Sequence, residues 1–176
     1  MVQTAEQYED PPSIILIGMP GCGKSTVGPL LARAMNLDFL DTDDLVQSRE
    51  GQTLPEILAT QGYLRLREIE ECVVMGHSFD GAVVATGGSV IYSGNTMSHF
   101  RRFGRIVYLK TDIRQLNQRL GSLSQRGVAA PLGTTLFDLE LERTPLYERA
   151  ADLIVSAEST SVTQTLKRVI DALGVV

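Results

Sequence analysis

The sequence predicts an α/β domain: a parallel sheet covered by helices on both faces. Three observations lead there. Short apolar, β-branched runs alternate with amphipathic stretches along the chain, the pattern of strand–helix–strand units. A glycine-rich turn, Gly18–Gly23, joins the first such run to the first helical stretch. The 176 residues hold no internal repeat and no dividing linker, so they suit one core.

The elements follow in order. Ile14–Ile17, after Pro11 and Pro12, reads as a buried strand. Ser25–Met35 carries Val27, Leu30, Leu31 and Ala34 at helical spacing. Phe39–Leu40 is a short second strand, followed by the acidic run Asp41-Thr42-Asp43-Asp44. Leu54–Ala59 and Leu64–Met75 read as helices, the second with Leu66, Ile69, Val73 and Val74 on one face. Gly81–Ala85 is the third strand, ending in Thr86-Gly87-Gly88-Ser89. A helix over Asn95–Phe103, a strand over Arg105–Leu109 and a helix over Asp112–Leu120 come next. Gly121–Gly133 is rich in small residues and has no period. Thr135–Ala151 returns to helix, Leu153–Val155 to strand, and Ser161–Leu173 closes the chain as a helix. The expected division is a flexible polar tail over 1–12 and a single domain over 13–176.

Composition removes several functions. With 16 Lys+Arg against 21 Asp+Glu the formal charge is −5, which argues against a general binder of nucleic acid or anionic membrane. Cys22 and Cys72 make no disulfide framework, and no Cys/His spacing suits zinc. The N-terminal stretch is acidic, unlike a signal peptide, and no apolar run reaches the ~20 residues that span a bilayer. A cytoplasmic location is the expectation.

The strongest chemical signal is Gly18-Met19-Pro20-Gly21-Cys22-Gly23-Lys24-Ser25, which satisfies GxxxxGK[ST]. Glycines let successive N–H groups curl toward one anion, and the helix that follows adds its N-terminal dipole. Lys24 is placed to reach the β- and γ-phosphates, and the Ser25 hydroxyl to ligate Mg²⁺. Gly21, Cys22, Gly23, Lys24, Ser25 and Thr26 are therefore the candidate ATP-binding residues. The turn is not a dinucleotide fingerprint, because Thr26 stands where GxGxxG needs its third glycine.

Other features are open to two readings. Alone, Asp41, Asp43 and Asp44 read first as a helix cap with solvated first-turn acids. The second reading is a set of carboxylates at a strand's carboxyl end, able to hold a Mg²⁺ water and orient a substrate hydroxyl. Arg65 and Arg67, among Glu68, Glu70 and Glu71, and Arg143, in Glu142-Arg143-Thr144-Pro145-Leu146-Tyr147, read either as surface ion pairs or as a clamp on a carboxylate. Gly87-Gly88 is either a plain turn or backbone brought close to a ligand. Cys22 reads as a tolerated small residue, Cys72 as core, and His77 and His99 as structural.

Together these residues resemble the shikimate kinase family from about Ile14 to Leu173. Phe39-Leu40-Asp41-Thr42-Asp43 is similar to its F-x-D-x-D segment, and Arg143-Thr144-Pro145-Leu146-Tyr147 to its R-x-P-L-Y motif. The resemblance implies a three-layer P-loop kinase fold: a five-stranded parallel sheet, flanking helices and a mobile lid, here about 121–134. It implies ATP and Mg²⁺ as cofactors and phosphorylation of a shikimate hydroxyl. It implies Asp41 and Ser25 at the metal, and Asp43 on the reacting hydroxyl. Arg67 and Arg143 would take the substrate carboxylate, with Gly87 and Gly88 beside the substrate. Lys24 and Asp43 would be the catalytic pair, and the protein a monomer.

The chain departs from the family at four places. Ser89 replaces the third glycine of a triplet, Leu66 replaces Phe before the carboxylate-binding arginine, and Gly62-Tyr63 replaces a Gly-Glu pair. The lid reads Ala129-Ala130-Pro131-Leu132 where the family carries Arg-Pro-Leu, which leaves Arg126 as the candidate for ATP phosphates. These changes keep two alternatives in view. One is a kinase of another small hydroxylated acid or polyol; the other is a nucleotide-binding regulatory module with little catalysis.

Overall fold

The computed structural model describes residues 13–120, 123, 126–158 and 161–174. The expected tail over 1–12 lies outside the described residues, as do 121, 122, 124 and 125 of the expected lid.

Five parallel strands form one sheet: β1 (Ser13–Ile17), β2 (Asp38–Asp41), β3 (Ala82–Ala85), β4 (Gly104–Lys110) and β5 (Leu153–Ser156). Their order is β2-β3-β1-β4-β5. β1 is central and wholly buried, with Ile14 opposite Val83 of β3 and Ile15 opposite Ile106 of β4. A strand buried on both faces must read as a continuous apolar run, which explains its sequence. At one edge, β2 is half-exposed and can afford Asp38 and Asp41.

Seven helices connect the strands: α1 (Lys24–Met35), α2 (Thr42–Glu50), α3 (Leu54–Met75), α4 (Gly94–Arg101), α5 (Ile113–Arg119), α6 (Leu136–Ala150) and α7 (Val162–Leu173). A single 3₁₀ turn spans Val90–Tyr92. The sequence pattern sets no range of its own for α2, although the cap reading of Asp41, Asp43 and Asp44 implies a helix starting there. Thr42-Asp43-Asp44-Leu45-Val46-Gln47-Ser48-Arg49-Glu50 buries only Thr42 and Val46, so it shows no apolar stripe. Asp41 caps it: the Asp43 N–H donates to Asp41 Oδ1 at 3.0 Å. The two helices expected over 54–75 run together, with a break at Gly62 (φ 80°, ψ 169°). That break lets the Tyr63–Met75 half take its own direction.

The main core packs around the sheet and includes Leu16, Leu31, Phe79, Phe100, Leu109 and Tyr147. A second cluster lies between α2 and α3: Val46, Leu54, Ile57, Leu66, Ile69 and Val73, joined by Ala129 from the segment before α6. Cys72 is exposed rather than core, with Arg49 Nη1 3.2 Å from its sulfur. His99 is buried among Phe79 and Phe103 and meets the His77 carbonyl at 2.9 Å, a structural role. Among the described residues no helix is long and apolar enough to cross a membrane.

Candidate active site

The carboxyl ends of β1, β2 and β3 lie side by side, and each releases part of one cavity of about 400 Å³. β1 leads into the Gly18–Gly23 turn, β2 ends at Asp41, and β3 leads into Thr86-Gly87-Gly88-Ser89. Pro20 through Val27, Asp43, Glu70, Thr86 through Ser89, Arg126 through Ala129 and Arg143 all line this space.

The turn is shaped by three glycines with positive φ: Gly18 (144°), Gly21 (79°) and Gly23 (107°). Gly23 is the N-cap of α1 and has no side chain with which to satisfy the first-turn N–H groups. The Thr26 N–H turns back to the Gly23 carbonyl at 3.0 Å, and the N–H groups before it are the ones a helix start leaves open to an anion, aided by the helix dipole. Lys24 is buried at the same spot. Its Nζ donates to the Gly18 and Met19 carbonyls at 2.7 and 3.1 Å and lies 3.6 Å from Cys22 Sγ. On the outer side, the Ser25 hydroxyl donates to Asp41 Oδ2 at 2.7 Å.

Asp43, two residues beyond the Asp41 cap, lines the cavity. Its Oδ1 is buried and has no hydrogen-bond partner among the described residues. Burial first, and then the Asp41 charge, push its carboxyl up to about 6, against the pull of Lys24. Glu70 lies across Gly87. Fully buried and close to Asp43, it is pushed up to about 8, despite Arg143 and Arg67 nearby. The Ser89 hydroxyl hydrogen-bonds Glu70 Oε2. Gly87 and Gly88 leave no room for side chains. A Cβ on Gly87 would sit 2.9 Å from Glu70 Oε1 and 3.0 Å from Asp43 Oδ1; one on Gly88 would sit 2.7 Å from Arg143 Nη1.

The two arginines converge. Arg143, from the middle of α6, is fully buried, and Arg67, from the second half of α3, is half-buried. Arg67 donates to the Ala129 carbonyl through Nε (3.2 Å) and Nη2 (3.0 Å), and Arg143 donates to the same oxygen through Nη2 (3.1 Å). Arg143 Nη1 is buried with no hydrogen-bond partner among the described residues. Two guanidiniums on one oxygen, with a donor left over, make a seat for a carboxylate.

Comparison with known proteins now decides the family. The family model described as shikimate kinase matches residues 20–174. The chain belongs to the shikimate kinase family. Shikimate kinase from Colwellia psychrerythraea is 35% identical over 169 residues, covering 92% of this chain and 96% of that one. Shikimate kinase 2 from an Enterobacter strain is 33% identical over 165 residues, covering 91% and 94%. The structure is similar to that of shikimate kinase from Aquifex aeolicus, with TM-score 0.77 at 30% identity over 92% of this chain and 96% of that one. It is also similar to shikimate kinase from Acinetobacter baumannii in complex with shikimate, with TM-score 0.79 at 26% identity over 92% of each chain. Shikimate kinases use ATP, and the glycine turn of this member has open N–H groups and a buried lysine of the kind that can hold phosphates.

The structure thus gathers Gly21, Cys22, Gly23, Lys24, Ser25, Thr26, Asp43, Gly87, Gly88, Arg126 and Arg143 around one cavity, with Asp41 held to Ser25 and Arg67 to Arg143's acceptor. Arg126 is exposed, and its Nη2 reaches the Arg119 carbonyl at 3.4 Å. Arg65 is the surface ion pair, meeting Glu68 at 2.9 Å with both side chains exposed. Asp44 is exposed as expected of a first-turn acid. Four participants escaped the sequence reading. Glu70 hides among the similar Glu68 and Glu71; only its i+3 spacing from Arg67 could have marked it. Arg119 lines the cavity from the end of α5. The Ala129 carbonyl is backbone, and Tyr92, which touches both arginines, lies in no motif.

Proposed function

We propose that this chain transfers the γ-phosphoryl group of ATP to a ring hydroxyl of shikimate, giving the 3-phosphate. The observation that carries the reading is the convergence of Arg67 and Arg143 on one oxygen, in a cavity that also holds the P-loop and Asp43. Phosphoryl transfer needs positioning and charge stabilisation more than covalent chemistry by the protein. The clamp fixes the carboxylate end of the small ring. Gly87 and Gly88 let the ring approach the backbone. Asp43 accepts the hydrogen bond of the reacting hydroxyl and takes its proton at a carboxylate oxygen. Lys24 leaves the Gly18 and Met19 carbonyls to meet the phosphates, and Arg126 covers them from the lid side.

Mg²⁺ fits the residues present. Ser25 and Asp41 supply hard oxygen donors 2.7 Å apart beside the phosphate cradle. One or two such donors plus phosphate oxygens are the usual set for this ion, which neutralises charge on the transferring group. The same reading takes the protein as a cytoplasmic monomer that acts on small molecules, and its net charge of −5 suits a protein that does not bind nucleic acid.

The test is a coupled ADP-release assay with ATP and Mg²⁺, with and without shikimate, and with Lys24→Ala as the blank. Shikimate-dependent ADP release and a product heavier by one phosphoryl group are expected. ATP binding without shikimate-dependent release would refute this acceptor and turn the search to other cyclic hydroxy acids.

A further inference from the structure

The two arginines of the clamp approach one another closely, and within 4.0 Å neither makes an ion pair with a carboxylate among the described residues. Something other than charge pairing must hold them in register. Tyr92, at the end of the 3₁₀ turn after Ser89, touches both by different means. Arg67 Cζ lies 3.9 Å from the centre of the Tyr92 ring, a close cation–π contact. Arg143 Nε donates to the Tyr92 hydroxyl at 3.0 Å, and Arg143 Cζ lies 5.3 Å from the same ring. Tyr63 gives Arg67 a second, looser aromatic face at 5.1 Å.

This arrangement sets orientation as well as proximity. Nε of Arg143 is spent on Tyr92, so its Nη2 and Nη1 are the nitrogens that face the cavity. The ring contact seats the Arg67 guanidinium over Tyr92 while its Nε and Nη2 both donate to the Ala129 carbonyl. Burial pushes the Tyr92 phenol above its ordinary range against the pull of Arg143, so the hydroxyl stays neutral as an acceptor for Arg143. The Val90 N–H that starts the turn carrying Tyr92 donates to the Gly87 carbonyl at 3.4 Å, so connected backbone supports the pocket floor and the clamp.

We propose that Tyr92 is the positioning residue that makes Arg67 and Arg143 one carboxylate-binding fork, carrying Arg67 on its ring face and Arg143 on its hydroxyl. The proposal rests on the acceptor reading above, because it concerns the carboxylate of that substrate. Among the described residues no hydrogen bond or ring contact joins Tyr92 to the Gly18–Ser25 turn or to Asp43, so its effect is expected on acceptor binding.

Two substitutions separate its two contacts. Tyr92→Phe removes the hydroxyl and keeps the ring; Tyr92→Leu removes both. Tyr92→Phe is expected to raise the shikimate KM by about 3- to 10-fold, and Tyr92→Leu by about 10- to 100-fold, with kcat and the ATP KM within about 2-fold of wild type. A structural role alone would move both KM values and kcat together. In an Arg143→Ala background, Tyr92→Phe should add nothing, because the partner of its hydroxyl is gone. Calorimetric titration of shikimate into wild type, Tyr92→Phe and Arg143→Ala reads binding without turnover, and thermal unfolding checks that each variant is folded. Wild type that binds while Tyr92→Phe and Tyr92→Leu bind equally well overturns this role for Tyr92. So does a Tyr92→Phe effect that persists at full size in Arg143→Ala. Wild type that binds ATP but no shikimate refutes the acceptor reading itself, and this role falls with it.

Discussion

Asp43→Asn should make the protein more stable and nearly inactive. The wild-type carboxyl is pushed from 3.8 up to about 6 by burial and by Asp41. Ionising it in the folded chain at neutral pH therefore costs on the order of 3 kcal/mol relative to the unfolded chain, at about 1.4 kcal/mol per tenfold. The sign follows from the raised value. The cost is absent below 3.8, grows as pH rises, and is complete above about 6. Asparagine keeps the shape and never carries the charge, though its amide is still desolvated beside the buried Oδ1 position. A gain of about 1–3 kcal/mol is expected at pH 7.5, or roughly 3–10 °C in Tm for a chain of this size. At pH 5 the gain should shrink by about half. Activity moves the other way: kcat/KM with shikimate should fall by about 10²–10⁴, the usual worth of a positioned base. The wild-type kcat/KM should itself decline as pH drops through about 6, where Asp43 takes up its proton. Thermal unfolding at the two pH values, beside ADP-release kinetics, measures both halves. An unchanged or lower Tm at pH 7.5, or the same gain at pH 5 as at pH 7.5, would refute the claim that Asp43 is held charged at a cost to stability.

Two further outcomes follow from the clamp. Arg143→Lys keeps the charge but not the fork, so one nitrogen must replace the contacts to Tyr92 and Ala129; the shikimate KM should rise about 100-fold with kcat changed far less, and equal KM values would contradict the clamp. In the absence of ligand the Ala129 carbonyl occupies the seat between Arg67 and Arg143, so a substrate carboxylate must displace it. Shikimate alone should then speed amide hydrogen exchange over 127–131, and slower or unchanged exchange with shikimate bound would show that the two share the seat.

The sheet was legible because its inner strands β1, β3 and β4 are short apolar runs beside a glycine, and a parallel strand buried on both faces reads as a continuous apolar stretch. The phosphate cradle was legible because its chemistry is contiguous: three glycines, Lys24 and Ser25 stand within eight residues. Asp43 and the arginines became specific only as an ordered set across 100 residues of chain. What was hidden depends on packing at a distance. Glu70 looks like its neighbours Glu68 and Glu71 until the break at Gly62 and the closure of Gly87 over it bury it alone. α2 carries one buried turn under a polar surface, so its period is too weak to read. The Ala129 carbonyl has no side-chain signature at all, and Tyr92 gains its place from a 3₁₀ turn set by Gly87 and Ser89.

The central claim is that the paired arginines hold the acceptor by its carboxylate while Asp43 presents its hydroxyl to the nucleotide. The most direct measurement compares ADP release with shikimate and with its methyl ester, which keeps every hydroxyl but replaces the anionic carboxylate by a neutral ester one methyl group larger. Turnover with shikimate, and kcat/KM lower by about 100-fold or more with the ester, is expected for a carboxylate held by two buried-side guanidinium contacts. Equal kcat/KM for the two compounds would contradict the account.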